Sequence, residues 1–505
     1  MAADNRAASS SAAPAAPDPL NKRAVYLDEP ATPAVSGAGQ RQRNPVIAFY
    51  LPQFHPTPDN DKFWGPGFTE WHNVAAAYGL FEGHQQPVRP TELGYYDLRV
   101  PEVRELQAKL AREHGVDGFC YHHYWFNGRR VLERPFNEVL ASGKPDFPFC
   151  LSWANENWTR RWDGGERDIL IQQHYSDEDA AAHIRSLYPA FNDPRYIRLD
   201  GKPLFIVYNL GSIPSPRRFT DTVRDTMRRD GAGEIHLCAA ETFAGRIDPR
   251  PLGFDSAVEF PPHLSWRSGI QADTTEVQFR VGFKGTLIDY RMMVHDSLNR
   301  ERPAFPLFRT VVPGWDNTPR LKERALVLVN SSPDLFGEWL GHMRRWTAEA
   351  HPGRDAPVFI NAWNEWAEGC HIEPDHQLGR ARLLAVKRAT APSSTETSLA
   401  ATLAACGELS DGARQRLKSE LGDTLLARDK FWLRFMSYGK RGWSAFGADT
   451  AQDGVNKRNL IDQITMARYL YHWFGKDRGR LIGLRRALGA LIKPILRRLS
   501  SERLD

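Results

Sequence analysis

Two carboxylates three residues apart, Glu365 and Glu368, stand in the run Trp363-Asn-Glu-Trp-Ala-Glu-Gly369. A paired acid and base, or acid and nucleophile, is what breaking a glycosidic bond requires. On a strand this spacing would aim the two side chains apart, and on a helix it would put them on one face. A bend or single turn here, with Gly369 as a tight exit, would aim both at one cavity. Tryptophan and asparagine surround the pair. Flat indoles stack on the apolar faces of pyranose rings, and Asn, His and Glu hydrogen-bond hydroxyls. A second cluster of this kind is Trp153-Ala-Asn-Glu-Asn-Trp158, where Glu156 is expected to orient a ligand or pair with Arg160 or Arg161. His122 and His123 are adjacent, so on a strand one would face a cavity and the other pack outside. No His-x-x-x-His or Asp/His cluster supports a metal site, and the sequence predicts neither a metal nor a cofactor.

Eight apolar runs must position these residues: Val46–Leu51, Val116–Trp125, Phe147–Asn155, Pro203–Asn209, Ile235–Glu241, Phe254–Phe260, Phe308–Trp315 and Val358–Trp363. Segments of helical spacing lie between them, among them 101–115, 177–191 and 221–230. Near-continuous apolar strands alternating with helices predict a parallel sheet covered on both faces. Eight units predict an α/β fold of (β/α)8 TIM-barrel type spanning 45–392. An open doubly wound sheet is the rival, but no Gly-rich phosphate loop follows the first strand. Polar residues gather where the strands end, which is the rim where such barrels build their sites. The residues expected there are Gln53, His55, His122, His123, Tyr124, Trp125, Trp153, Asn155, Glu156, Tyr208, Glu241, Glu259, Trp315, Asn364 and Trp366, with Tyr50 and Trp71 from the first strand and the segment after it.

Outside the barrel, residues 1–44 are rich in Ala, Pro, Ser and Gly and read as a disordered leader. Residues 393–505 read as a helical extension. It ends at about 480–499 in a basic amphipathic helix, with Leu481, Leu484, Leu488, Leu491 and Ile495 on one face. Residues 471–505 hold nine Lys/Arg and three Asp/Glu, so the chain's net +5 comes from this tail and not from the barrel. Such a tail fits an anionic lipid headgroup region, while docking on the barrel is the other reading. Nucleic acid is not an expected partner. The five scattered cysteines form no Cys-x-x-Cys pair, and no charged segment leads into an apolar run at the N-terminus. A cytoplasmic location, peripheral on the inner face of the plasma membrane, is the expectation. Oligomeric state is left open.

The runs Ile47-Ala-Phe-Tyr-Leu-Pro-Gln-Phe-His55, Phe63-Trp-Gly-Pro-Gly-Phe-Thr-Glu-Trp71, Gly118-Phe-Cys-Tyr-His-His-Tyr-Trp125, Trp153–Trp158 and Trp363–Gly369 resemble the WbsX family, in order, over about residues 45–390. The resemblance implies a role in bacterial O-antigen or related surface-polysaccharide synthesis, acting on an oligosaccharide or a lipid-linked glycan. It also implies kinship with the retaining endo-α-mannosidases of glycoside hydrolase family ninety-nine. Carried over, Glu365 would deprotonate the sugar 2-hydroxyl to give a 1,2-anhydro sugar, and Glu368 would protonate the leaving oxygen. Two other readings stand beside this one. A sugar-nucleotide-dependent glycosyltransferase would hold a diphosphate through Asp-x-Asp, for which Asp59-Asn-Asp61 and Asp177-Glu-Asp179 are weak matches. A non-catalytic glycan-binding barrel would keep the Trp residues without needing the paired Glu.

Overall fold

The computed structural model describes residues 44–160, 165–264, 272, 274 and 277–391. The expected leader and helical extension lie outside the described residues. Within them, each of the eight apolar runs forms a strand: β1 (Val46–Tyr50), β2 (Gly118–Phe126), β3 (Phe149–Trp153), β4 (Lys202–Val207), β5 (His236–Glu241), β6 (Ser256–Glu259), β7 (Leu307–Phe308 and Thr310–Val311) and β8 (Val358–Ile360). All eight pair in parallel with their sequence neighbours. β8 returns to β1 through Val46↔Val358, so the sheet closes on itself. The open doubly wound arrangement is therefore excluded. β7 is broken at Arg309: its first half pairs with β6 and its second half with β8.

The sequence reasons for the elements are local. Helix Pro101–Glu113 begins with proline at its first turn and ends before Gly115, whose φ of 82° is left-handed. Helices Asp177–Ser186 and Pro333–Ala350 are capped by Ser176 and Ser332, whose side chains accept from Asp179 N and Leu335 N. Helix Pro216–Arg229 carries Phe219, Val223 and Met227 as its buried stripe. The strands bury both faces: all five residues of β1 and all five of β3 are buried.

Side chains alternate along each strand, and this parity decides what reaches the barrel interior. Phe49 points inward, with its ring 5.2 Å from Phe359 and 4.8 Å from Phe260. These three rings pack together inside the barrel. Among the described residues no helix is long and apolar enough to cross a membrane.

Candidate active site

β8 leads into a two-residue strand, Asn364–Glu365, and then a single 3-10 turn, Trp366–Glu368. That turn brings Glu365 and Glu368 to one cavity of about 470 Å³ at the C-terminal rim. Gly369 ends the turn with φ 61°, and a Cβ there would lie 2.9 Å from Asp316 Cβ and N. Only glycine lets the Asp316 amide approach closely enough to donate to the Glu368 carbonyl at 2.7 Å. Asn364 clamps the start of the turn. Its Oδ1 accepts from Leu51 N at 2.8 Å and its Nδ2 donates to Leu51 O at 3.0 Å.

A buried guanidinium ties the carboxylates together. Arg320 donates through Nη1 to Glu368 at 2.6 Å and through Nη2 to both oxygens of Glu365 at 3.1 Å. It also makes a two-pronged pair with Glu70 through Nε and Nη2. Gln53 Nε2 donates to Glu70 at 2.9 Å and to Glu365 at 3.1 Å, leaving Gln53 Oε1 without a protein partner. Burial raises the Glu365 carboxyl to about 8; Arg320 opposes the shift, and Glu70 and Glu368 add to it. His122 is lowered to about 4 by burial and by Arg320, so its imidazole is neutral.

The rest of the lining mixes aromatic rings with aliphatic and amide side chains. Tyr124 meets Trp158 edge-on at 5.0 Å, and Tyr208 meets Phe260 the same way at 5.0 Å. Tyr208 OH lies 3.2 Å from His263 Nε2, and Phe243 is 45% exposed at the mouth. Trp315 also lines the cavity, and its Nε1 has no protein partner.

Of the residues expected at the rim, Gln53, His122, Tyr124, Glu156, Tyr208, Trp315, Glu365 and Glu368 line this cavity. Glu156 accepts from Asn209 Nδ2 at 2.8 Å. The others lie behind the wall, mostly because strand parity turns them outward. Tyr50 donates to Gln107 at 2.7 Å, in a buried network that continues to Glu373. Trp366 donates to the same Glu373 at 2.6 Å. His123 meets His183 at 2.9 Å on the helix side, while its neighbour His122 faces the cavity. Trp125 donates to Asp179 at 2.9 Å, and Trp153 packs on His183 and Phe219. Asn155 donates to the Asn209 carbonyl at 2.7 Å, and Asn364 serves as the clamp described above. His55 is buried away from the cavity, and Trp71 donates to the Tyr96 carbonyl at 2.8 Å. Glu241 and Glu259 turn out of the barrel to pair with Arg300. These residues are corrected from ligand contacts to parts of the scaffold. Most of the buried tryptophans, Trp339 and Trp363 included, are core.

Sequence reasoning missed Glu70, Phe243, Phe260, His263, Arg320 and Asn361. Glu70 had one signal: it precedes Trp71 in a run already singled out. Arg320 had none, because its partners lie 250 and 45 residues away.

The description Glycosyltransferase WbsX matches residues 46–386. Uncharacterized protein WxcX of Xanthomonas campestris pv. campestris is 44% identical over 344 residues, 68% of this chain and 49% of the relative. The chain thus spans about half the length of the curated relatives it matches. Among solved structures, the GH99 endo-alpha-mannosidase from Bacteroides thetaiotaomicron aligns with a TM-score of 0.44 at 14% identity, covering 69% of this chain and 97% of that one. A glycoside hydrolase-like protein aligns with a TM-score of 0.44 at 15% identity, covering 72% and 98%. The family description covers most of the chain and its whole barrel, and this chain belongs to the Glycosyltransferase WbsX family.

Proposed function

We propose that the chain is a carbohydrate-active enzyme that cleaves or transfers a glycosidic bond with retention, on an α-mannoside-like substrate. The observation that supports this is the convergence of Glu365 and Glu368 on one cavity that Tyr124, Trp158, Tyr208, Phe243, Phe260 and Trp315 also line. In this reading Glu365 takes the proton of the sugar 2-hydroxyl. The 2-oxygen attacks the anomeric carbon, and the bond from that carbon to the leaving oxygen breaks. Glu368 gives its proton to the leaving oxygen. Glu368 then takes a proton from the incoming water or sugar hydroxyl, which opens the 1,2-anhydro ring as Glu365 returns its proton to the 2-oxygen. A buried carboxyl with raised proton affinity is a stronger base than an ordinary glutamate. Because Glu365 must be ionised to act, kcat/KM is expected to climb as pH rises through about 8.

The rival is transfer from a sugar nucleotide. Among the described cavity-lining residues Arg320 is the cation, and it already serves three carboxylates. A diphosphate would have to compete with these carboxylates for the one guanidinium. The two weak Asp-x-Asp matches serve the scaffold. Asp59 pairs with Arg129 and Asp61 accepts from Gly67 N; Asp177 pairs with Arg218 and Asp179 accepts from Trp125. Parallel assays with α-linked oligosaccharides and with nucleotide sugars, each with and without a chelator, separate the two. Chelator-resistant turnover of the oligosaccharide is expected. Turnover only of a nucleotide sugar, lost on chelation and restored by Mn²⁺ or Mg²⁺, would sink this reading.

We place the reaction in bacterial O-antigen or related surface-polysaccharide synthesis, on free or lipid-linked glycan at the cytoplasmic face. The sequence of residues 480–499 supports peripheral attachment to an anionic leaflet. The full chain is expected to co-sediment with phosphatidylglycerol vesicles at low salt, and a chain ending at Gly475 to lose this. Equal sedimentation of both refutes the role of the tail.

A further inference from the structure

We infer that Glu70 is a positioning residue: it fixes the Arg320 guanidinium from behind, and Arg320 in turn holds Glu365 and Glu368 on one wall of the cavity. This rests on the proposed role of the two carboxylates and adds what sets their geometry. Glu70 has a fully buried side chain and does not line the cavity, so it cannot touch a ligand there. Both its oxygens are used: Oε1 accepts from Arg320 Nε, and Oε2 accepts from Arg320 Nη2 at 2.8 Å and Gln53 Nε2 at 2.9 Å. One edge of the planar guanidinium is thereby fixed, and the remaining donors are aimed at Glu368 and Glu365. An ammonium has no such fork, so lysine would keep the charge and lose the alignment. Arg320 stands on the short helix Thr318–Leu321, whose preceding residue Asn317 accepts from Leu326 N at 2.7 Å. Glu70 immediately precedes the helix Trp71–Ala76, and its carbonyl accepts from Asn73 N and Val74 N at 3.1 Å, so both ends of the anchor are held by local structure.

The charges around Glu365 make this testable. Arg320 favours its ionised form, while Glu70 and Glu368 disfavour it. The other titratable neighbours are neutral near pH 7: burial lowers His122 to about 4 and holds the Cys370 thiol well above its ordinary value. Removing the Glu70 charge must lower the titration midpoint of Glu365, and removing the Arg320 charge must raise it. Opposite shifts from two partners in one ion pair are not what general loosening produces.

The test is an infrared titration of the protonated-carboxyl stretch on the full chain, with Glu365→Gln identifying the band. The band of Glu373, raised to about 7, remains in that variant and so is told apart. Relative to wild type, Glu70→Gln is expected to move the midpoint down by about 1 pH unit and Arg320→Met to move it up by about as much. Arg320→Lys should leave the midpoint near wild type while lowering kcat on the order of 10-fold or more, with KM little changed. Shifts in the same direction, or an unmoved midpoint in folded Glu70→Gln, overturn the inference. The expected shifts in a protein without glycosidic turnover would uphold the anchor and count against the proposed reaction. Turnover in wild type with no shift in the variants would do the reverse.

Discussion

Glu365→Gln and Glu368→Gln are each expected to cut turnover by on the order of 10²-fold or more while leaving the protein folded. Gln keeps the size of Glu and can still accept from Arg320, so the anchor with Glu70 survives. What is lost is the ability to take or give a proton. Folding gains from the change at Glu365. Its raised folded-state pKa makes a stability contribution that is complete below the ordinary carboxylate value and is lost as pH rises toward about 8. Replacing it with Gln removes that loss, so the melting temperature of Glu365→Gln should match or exceed wild type at pH 8. Inactive protein with an unreduced melting temperature separates chemistry from unfolding. Near wild-type turnover in Glu368→Gln would remove it from the mechanism and favour a glycan-binding barrel.

Glu259→Ala is expected to destabilise the fold by about 3–5 kcal/mol. Glu259 accepts from Arg309 at 2.7 Å and pairs with Arg300 at 2.6 Å, and Arg309 is fully buried where β7 breaks. Removing the carboxylate strands Arg309 beside Trp346, whose ring lies 4.8 Å from the guanidinium. Burial raises the pKa of Glu259, but Arg309 and Arg300 outweigh it and the net shift is down. A depressed folded-state pKa gives stability that is present above the ordinary carboxylate value and lost as pH falls through the folded one. The difference between wild type and Glu259→Ala in urea unfolding should therefore shrink in acid. Folded Glu259→Ala should keep the wild-type KM. A raised KM with unchanged stability would return Glu259 to the ligand site.

The barrel was legible because its strands are buried on both faces, so they read as unbroken apolar runs such as Val46–Leu51. The break at Arg309 was not legible, since a buried arginine between two strand halves makes sense only with Glu259 and Ser297 beside it. In the site, the paired carboxylates were legible as a pair, but their spacing alone left strand, helix and turn open, and the 3-10 turn Trp366–Glu368 decides between them. The parity argument that split His122 from His123 applies equally to Tyr50, Trp153, Glu241 and Glu259. Applied along every strand, it sorts most wall residues from lining residues. Arg320 and Glu70 meet only through the closed fold, and no local pattern marks such a pair.

The most direct test of the central claim is mass spectrometry of free and lipid-linked α-linked oligosaccharides incubated with the full chain in ¹⁸O-labelled water, beside Glu368→Gln. The expected result is a shortened glycan carrying one ¹⁸O at its new reducing end, or a lengthened acceptor, in either case absent with Glu368→Gln. Unchanged glycans from the folded wild-type chain, with sugar incorporated only from a nucleotide donor, would contradict it.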